Sequence, residues 1–415
     1  MSQFIESWSK TTKAIYNGVL LYYLKQALIP VKQLIMWVTA LLLLSCGGGS
    51  GNGNVEDNDK DVLIPVAAVG NTYMYVNNQT EAMKPEVIIP ETSAFYGDYA
   101  VVGKEKKGFI DRNGKLIIPM QYAEATIFSD GLAFVKETSN STVVAIDTKG
   151  KEVFQLPEAT NARRFSEGLA AFKDKKNGLW GFVDKTGKVV IEAQYKEAGD
   201  FACGLAAVGS RNAYGFINSK GKVVVEPQFN DIAFSMMREL RNKKFTAEGY
   251  CVVGICEKRN GTFGVINTKG QFVIPLRECD DMVADKGGFI VYFEKYANAQ
   301  QVIYIDVKGK TVLEGFSELY PFNGGKYTIA MPLKRNDYVI IDREGKTVSK
   351  ITFSPVSFFT SFIDGMAVAQ NAGGYAGSGQ TIINEKGENI TGVDKVFVAD
   401  DYLYSEHNYF RLNNY

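Results

Sequence analysis

Four acidic side chains recur at one place in a repeated pattern, each directly before a glycine: Asp130, Glu167, Glu248 and Asp364. Brought to one face, they would form an inner acidic ring. Lys115, Lys151, Lys188, Lys222, Lys310 and Lys346 recur at a second place and would form an outer basic ring. Such a face could bind a polar ligand. Two carboxylates held roughly 5–10 Å apart would also suffice to cleave a glycosidic bond. The competing reading is a set of solvated turns whose charges only keep the protein soluble.

Other chemistry is scarce. There is one histidine, His407, and any Ser-His-Asp or Cys-His device would have to use it. Zinc sites rich in histidine are excluded. Lysine plus arginine and aspartate plus glutamate each number 46, so the net charge is zero. With no long basic run, nucleic-acid binding has no electrostatic footprint. No phosphate-cradling GxxxxGK[ST] loop is present, and no cofactor is expected. Cys203, Cys251, Cys256 and Cys279 could pair in an oxidising compartment or remain buried thiols. Cys251 and Cys256 lie five apart on an expected strand, so they face opposite sides and do not share a metal.

The elements that must position these residues follow from a five-residue turn that recurs eight times. It opens on Asp111, Asp147, Asp184, Asn218, Asn267, Asp306, Asp342 and Asn384. Its fourth residue is always glycine: Gly114, Gly150, Gly187, Gly221, Gly270, Gly309, Gly345 and Gly387. The glycines lie 36, 37, 34, 49, 39, 36 and 42 residues apart. Such a period marks a stacked or circular repeat architecture. The first Asx side chain can accept hydrogen bonds from backbone N–H groups two or three residues on. The glycine supplies the left-handed residue of a bulged type I hairpin loop. One carboxylate per turn is too few for a calcium loop.

Around each turn lie short runs rich in Val, Ile and aromatics, as in Gly168–Phe172, Trp180–Val183 and Lys188–Ile191. These read as strands. A second signature joins the units: Phe128-Ser129-Asp130-Gly131, Phe165-Ser166-Glu167-Gly168, Phe201-Ala202-Cys203-Gly204 and Phe362-Ile363-Asp364-Gly365. Its phenylalanine is expected in the core. The small residues after its glycine suit a tightly packed inner strand.

The units resemble the WG-repeat family of bacterial proteins, which is named for a Trp-Gly pair before the aspartate turn. The pair stands intact at Trp180-Gly181, followed by Asp184 and Gly187. It is relaxed to Tyr214-Gly215, Phe263-Gly264 and Lys107-Gly108, and the other four units lose it. The resemblance covers roughly residues 95 to 400 and implies a repeat fold rather than an activity. The expected fold class is all-β, a repeat array of β-hairpin units. A β-propeller is favoured, with an open curved hairpin solenoid as the alternative. Residues 62–400 form the repeat domain, with a degenerate first unit built from Val66–Val69, Tyr73–Val76 and Val87–Pro90. Residues 401–415 form a closing or capping hairpin.

The N-terminus carries an apolar run from Leu34 to Leu44, preceded by Lys25 and Lys32 and followed by Ser45-Cys46. This reads as a secretory signal. It resembles the bacterial lipobox, which implies that Cys46 is lipidated and residues 1–46 are the lipoprotein signal. Residues 47–61, rich in Gly, Asn and Asp, read as a tether. Expected partners are a membrane, through the lipid, and an envelope protein or glycan. The expected place is a bacterial envelope, at the outer membrane. The expected function is a binding scaffold without catalysis. The alternatives are a carbohydrate-binding module or a carboxylate-dependent glycan-active enzyme. The longer unit around residues 235–241 is expected to carry a short helix at a partner contact.

Overall fold

The computed structural model describes most of residues 64–389. Outside it lie 1–63, 390–415, the segments 232–242, 352–355 and 372–379, and residues 69–71, 77–81, 84, 90, 94, 211, 258–259, 296–298, 336 and 363–364. Cys46, Asp364, His407, the tether, the expected helix and the expected closing hairpin therefore fall outside the described residues.

Each unit is an antiparallel meander whose strands neighbour one another in sequence order. The fourth unit shows the plan: Glu197–Ala198, Leu205–Ser210, Ala213–Asn218 and Val223–Phe229. The first two strands form a hairpin whose tip is the Phe-x-x-Gly junction. The last two are joined by the Asx turn. Both turns therefore emerge at the same end of the unit. The sixth and seventh units share one seven-stranded sheet. Strand Thr311–Leu319 ends the sixth and begins the seventh, bending where Gly315 has φ 92° and the register with the next strand shifts at Phe316/Glu318.

The segment expected as a degenerate N-terminal unit forms a three-stranded sheet, Ile64–Ala68, Thr72–Val76 and Ala82–Met83. Its third strand is not Val87–Pro90 as the sequence pattern suggested. Ile89 instead packs as a buried side chain from a non-strand segment into the cluster around Tyr75 and Phe95.

The core is not one mass but a row of layers, each lying between consecutive units. One layer joins Leu169, Phe182 and Ile191 to Phe201, Ala206 and Ile217. The next joins Tyr214, Phe216 and Phe229 to Phe245, Cys251 and Ile266. The junction phenylalanines Phe128, Phe165, Phe201 and Phe362 all enter such layers, as the pattern implied. Alternation explains how one strand serves two layers: Leu169 and Ala171 face one way, Ala170 and Phe172 the other. Burial fades outward, from a second strand such as Leu132–Lys136, buried throughout, to a fourth strand such as Val189–Tyr195, mostly exposed on one face. Each unit thus depends on its neighbours, as in other repeat architectures.

Glycine in the Trp-Gly pair has a steric cause. The fourth strand bulges opposite it, with register shifts at Trp180/Phe182 and Phe182/Val183. A Cβ on Gly181 would lie 2.5 Å from the Ile191 carbonyl oxygen. Gly108, Gly215 and Gly264 meet the equivalent carbonyls of Ile118, Val225 and Ile274 at 2.6, 2.2 and 2.8 Å. The turn glycine has two causes. Gly187 has φ 84°, and a Cβ there would lie 2.5 Å from the Phe154 ring of the preceding unit. Gly168 has φ 79° but open space around it. Gly181→Ala should therefore cost at least about 2 kcal/mol, as overpacking against backbone does. Gly168→Ala should cost about 1–2 kcal/mol, the left-handed penalty alone. Urea denaturation of both variants checks the order.

Candidate functional site

The aspartate turns fold as the sequence suggested, with one refinement. Asp184 Oδ1 accepts the N–H groups of Thr186 at 2.8 Å and Lys188 at 3.1 Å, two and four residues on. The same pair of bonds recurs at Asp111, Asp147, Asn218, Asn267, Asp306, Asp342 and Asn384. These bonds, with the neighbouring lysines, hold the carboxyls of Asp184 and Asp306 below the usual range. The Thr186 hydroxyl leads at Asp184 and the Lys310 amide at Asp306.

The junction tips are tighter. Ser129 and Leu132 exchange backbone hydrogen bonds at 2.9 and 3.1 Å across Asp130-Gly131. Both central residues have positive φ, 52° and 83°. This is the two-residue hairpin turn that matches strand twist. Glu167 and Cys203 adopt the same left-handed conformation at φ 53°. Such a backbone costs a non-glycine residue about 1–2 kcal/mol. Their side chains show what offsets it.

Several tips grip the next. Asp130 Oδ2 accepts the Gly168 N–H at 2.7 Å. Glu167 Oε2 accepts the Gly204 N–H at 2.8 Å. Ser166 donates to the Phe201 carbonyl at 2.7 Å, and the Cys203 sulfur lies 3.2 Å from the Thr246 carbonyl. Further along, Asp285 accepts from Phe322 N at 3.0 Å, Asn323 N at 2.7 Å, its neighbour Lys286 N and the Tyr304 hydroxyl. Asn323 in turn donates to the Phe362 carbonyl at 3.2 Å. The tips form a chain of latches between units.

Asp130 and Glu167 lie near one another, and both remain exposed. Burial of its carboxyl pushes Glu167 above the usual range, against the Gly204 and Cys203 amides, with the nearby Asp130 charge adding to the rise. Glu248 is placed differently. Its turn is one residue longer, with Thr246 N bonded to Tyr250 O at 2.7 Å, and Glu248 is exposed without a latch among the described residues.

Three features escaped sequence reasoning. Arg163 and Arg164 both bind Asp200, at 2.9 and 3.2 Å, with Asp200 only 5% exposed. Arg164 also lies over the Tyr96 ring at 5.2 Å. Tyr96 belongs to the first junction and Arg164 to the third, so tips converge across the intervening unit. The fifth unit, which the pattern marked as long, is clasped at the base of residues 232–242 by a buried ion pair between Asp231 and Lys243, joined by the Tyr214 hydroxyl. Asp285 shows no Phe-x-x-Gly signature, yet it is the most heavily bonded latch. No motif points to any of them.

The signature aromatics are structural. Tyr214 and Phe263 are buried and Trp180 is half-buried against Tyr195 and Phe201. Cys251, Cys256 and Cys279 are buried and not disulfide-bonded. Burial pushes the thiols of Cys251 and Cys279 up to about 12. Cys251 and Cys256 do face different layers. No group of metal-ligating side chains occurs among the described residues.

Five segments match the family described as WG containing repeat: residues 108–139, 145–179, 180–211, 214–235 and 263–293. The five matched segments lie within an all-β, β-propeller-like array. No curated protein matches it in sequence. Among solved structures it is similar to one titled as the eukaryotic initiation factor, at 12% identity and a TM-score of 0.55, covering 81% of this chain and 97% of that one. It also aligns with Kluyveromyces lactis Hsv2p at 12% identity, covering 59% of this chain and 89% of that one, at a TM-score of 0.32. The first likeness concerns fold alone, and the second is too distant to add to it.

Asp285 is the sharpest test of the latches. Asp285→Ala strands three amides and a hydroxyl, most of them buried, and should cost about 3 kcal/mol, against about 1 kcal/mol for Asp130→Ala. Burial raises the Asp285 carboxyl above its ordinary value. A raised folded-state value gives stability that is fully present below the unfolded value, about 3.9, and lost as pH rises through the folded one. The stability difference between wild type and Asp285→Ala should therefore narrow from about pH 4 to pH 7, measured by urea midpoints.

Proposed function

We propose that the protein is a lipoprotein of a bacterial envelope whose WG-type array holds a protein or glycan partner on its turn-bearing end, without catalysis of its own. In this reading residues 1–46 are the signal, Cys46 carries the lipid and residues 47–61 tether the repeat domain at the outer membrane. The observation that supports a binding role is preorganisation. Asp130 and Glu167 are exposed carboxylates fixed by hydrogen bonds to the next unit's backbone. Groups ordered before a partner arrives lose little freedom on binding. A sugar-stacking role has less support, because the signature aromatics are taken up by the core. A glycosidase role has less support too, because the two carboxylates that lie together are engaged as latches.

Two measurements test this. Cys46→Ser should abolish incorporation of labelled fatty acid and release the protein from membranes. A photo-crosslinking residue at Glu248 should capture a discrete partner in intact cells, whereas one at Ser139, on the opposite end, should not. Equal capture from both ends, or a soluble wild-type protein, would contradict the reading.

A further inference from the structure

The outer edge of the array carries a second regularity that the latches do not use. The second, third, fourth, sixth and seventh Asx turns end in an exposed lysine and the fifth in Gln271, and an exposed apolar residue follows each of these six turns. Lys151, Lys188, Lys222, Lys310 and Lys346 are all exposed, and Lys269 is exposed within its turn. Two or three residues after the turn glycine stand Val153, Val190, Val224, Phe272, Val312 and Val348, one per unit from the second to the seventh. Most of the exposed large apolar side chains among the described residues fall on this one strand position.

The turns are also charge-selected. Each Asx side chain is turned back onto its own backbone amides, whereas the lysines project into solvent. From the first turn to the sixth every five-residue segment has a net positive charge, in a chain whose total is zero. The seventh turn is neutral and the eighth negative, through Glu344, Glu385 and Glu388. Positive charge is therefore concentrated on one arc of one rim. Asp130 and Glu167, at the same end, are bonded to amides of the next unit.

Lysines alternating with small apolar side chains fit one kind of surface: the headgroup layer of an anionic bilayer, where ammonium groups meet phosphates and aliphatic groups enter the interface. A polysaccharide would call for aromatic platforms, and among the described residues this rim exposes only Phe272. Geometry agrees. Residues 47 to 63 separate Cys46 from the first described strand at Ile64, and a chain of that length spans at most about 60 Å. We infer that the arc of turns from the second to the sixth unit seats on anionic phospholipid, so that a partner held at this end is one that itself lies at the membrane surface. The chain-length argument rests on the lipidation of Cys46. The rim itself does not.

The test uses the full chain carrying Cys46→Ser, so that binding does not depend on the lipid. Flotation is measured with neutral phosphatidylcholine vesicles and with vesicles containing phosphatidylglycerol. The expected result is flotation only with the anionic vesicles, abolished by high salt. The triple variant Lys188→Glu, Lys222→Glu, Lys310→Glu should bind on the order of 100-fold more weakly, about 5-fold per lysine. Circular dichroism of the triple variant confirms that it still folds. A label placed by Val190→Cys should be quenched by lipid-borne quenchers, and one placed by Ser139→Cys should not. Flotation unchanged by the triple variant, or equal quenching at both labels, overturns the proposal. So does binding to an acidic polysaccharide in place of the vesicles. If wild type is lipid-labelled yet the rim variants change nothing, the anchor stands and the rim proposal fails.

Discussion

The structure depends on one kind of contact: a junction tip of one unit satisfying a backbone amide of the next. Apolar layers alone would let successive sheets slide, because dispersion and burial are not directional. A hydrogen bond from Asp130 to Gly168, or from Asp285 to Phe322 and Asn323, fixes distance and angle. It also explains why Glu167 and Cys203 tolerate a backbone conformation that suits glycine. The strained tip is what points each side chain at its neighbour.

The glycines play the complementary part. At the outer turn, Gly187 allows the loop to rest on Phe154 of the preceding unit, and Gly221 rests on Ile191 in the same way. Units are thus pinned at two radii: by hydrogen bonds near the tips and by close packing at the turns. Between these pins the layers of Val, Ile, Phe and Ala supply the bulk of the burial. A repeat that loses its Trp-Gly pair can persist, because the pins remain. The second unit, with Val143 and Val144 in place of the pair, keeps both its Asp147 turn and its Asp130 latch.

Much of this was legible in the sequence, because turns and strand patterns are local. The Asx turn, the inward phenylalanines and the opposed Cys251 and Cys256 each follow from residues within a few positions. The latches were not legible. They join residues 37 or 38 apart in the chain, and the acceptor is a side chain whereas the donor is backbone, which leaves no mark in composition. The acidic residues were visible as a set, but their bonding was not. Asp200 with its two arginines, and the Asp231–Lys243 clasp, depend on neighbours that only the fold defines. The degenerate first unit misled for a related reason: Val87–Ile89 has strand composition, yet its partner edge is taken by Ala82–Met83.

The most direct test is amide hydrogen exchange at Gly168, Gly204, Phe322 and Asn323. If latches hold the array together, these four amides exchange slowly in the wild type despite lying at turns. Asp130→Ala should then speed Gly168 selectively, leaving Phe322 and Asn323 protected. Exchange of all four at the rates of open loops, with the strands still protected, would contradict the account and leave apolar layering as the sole link between units.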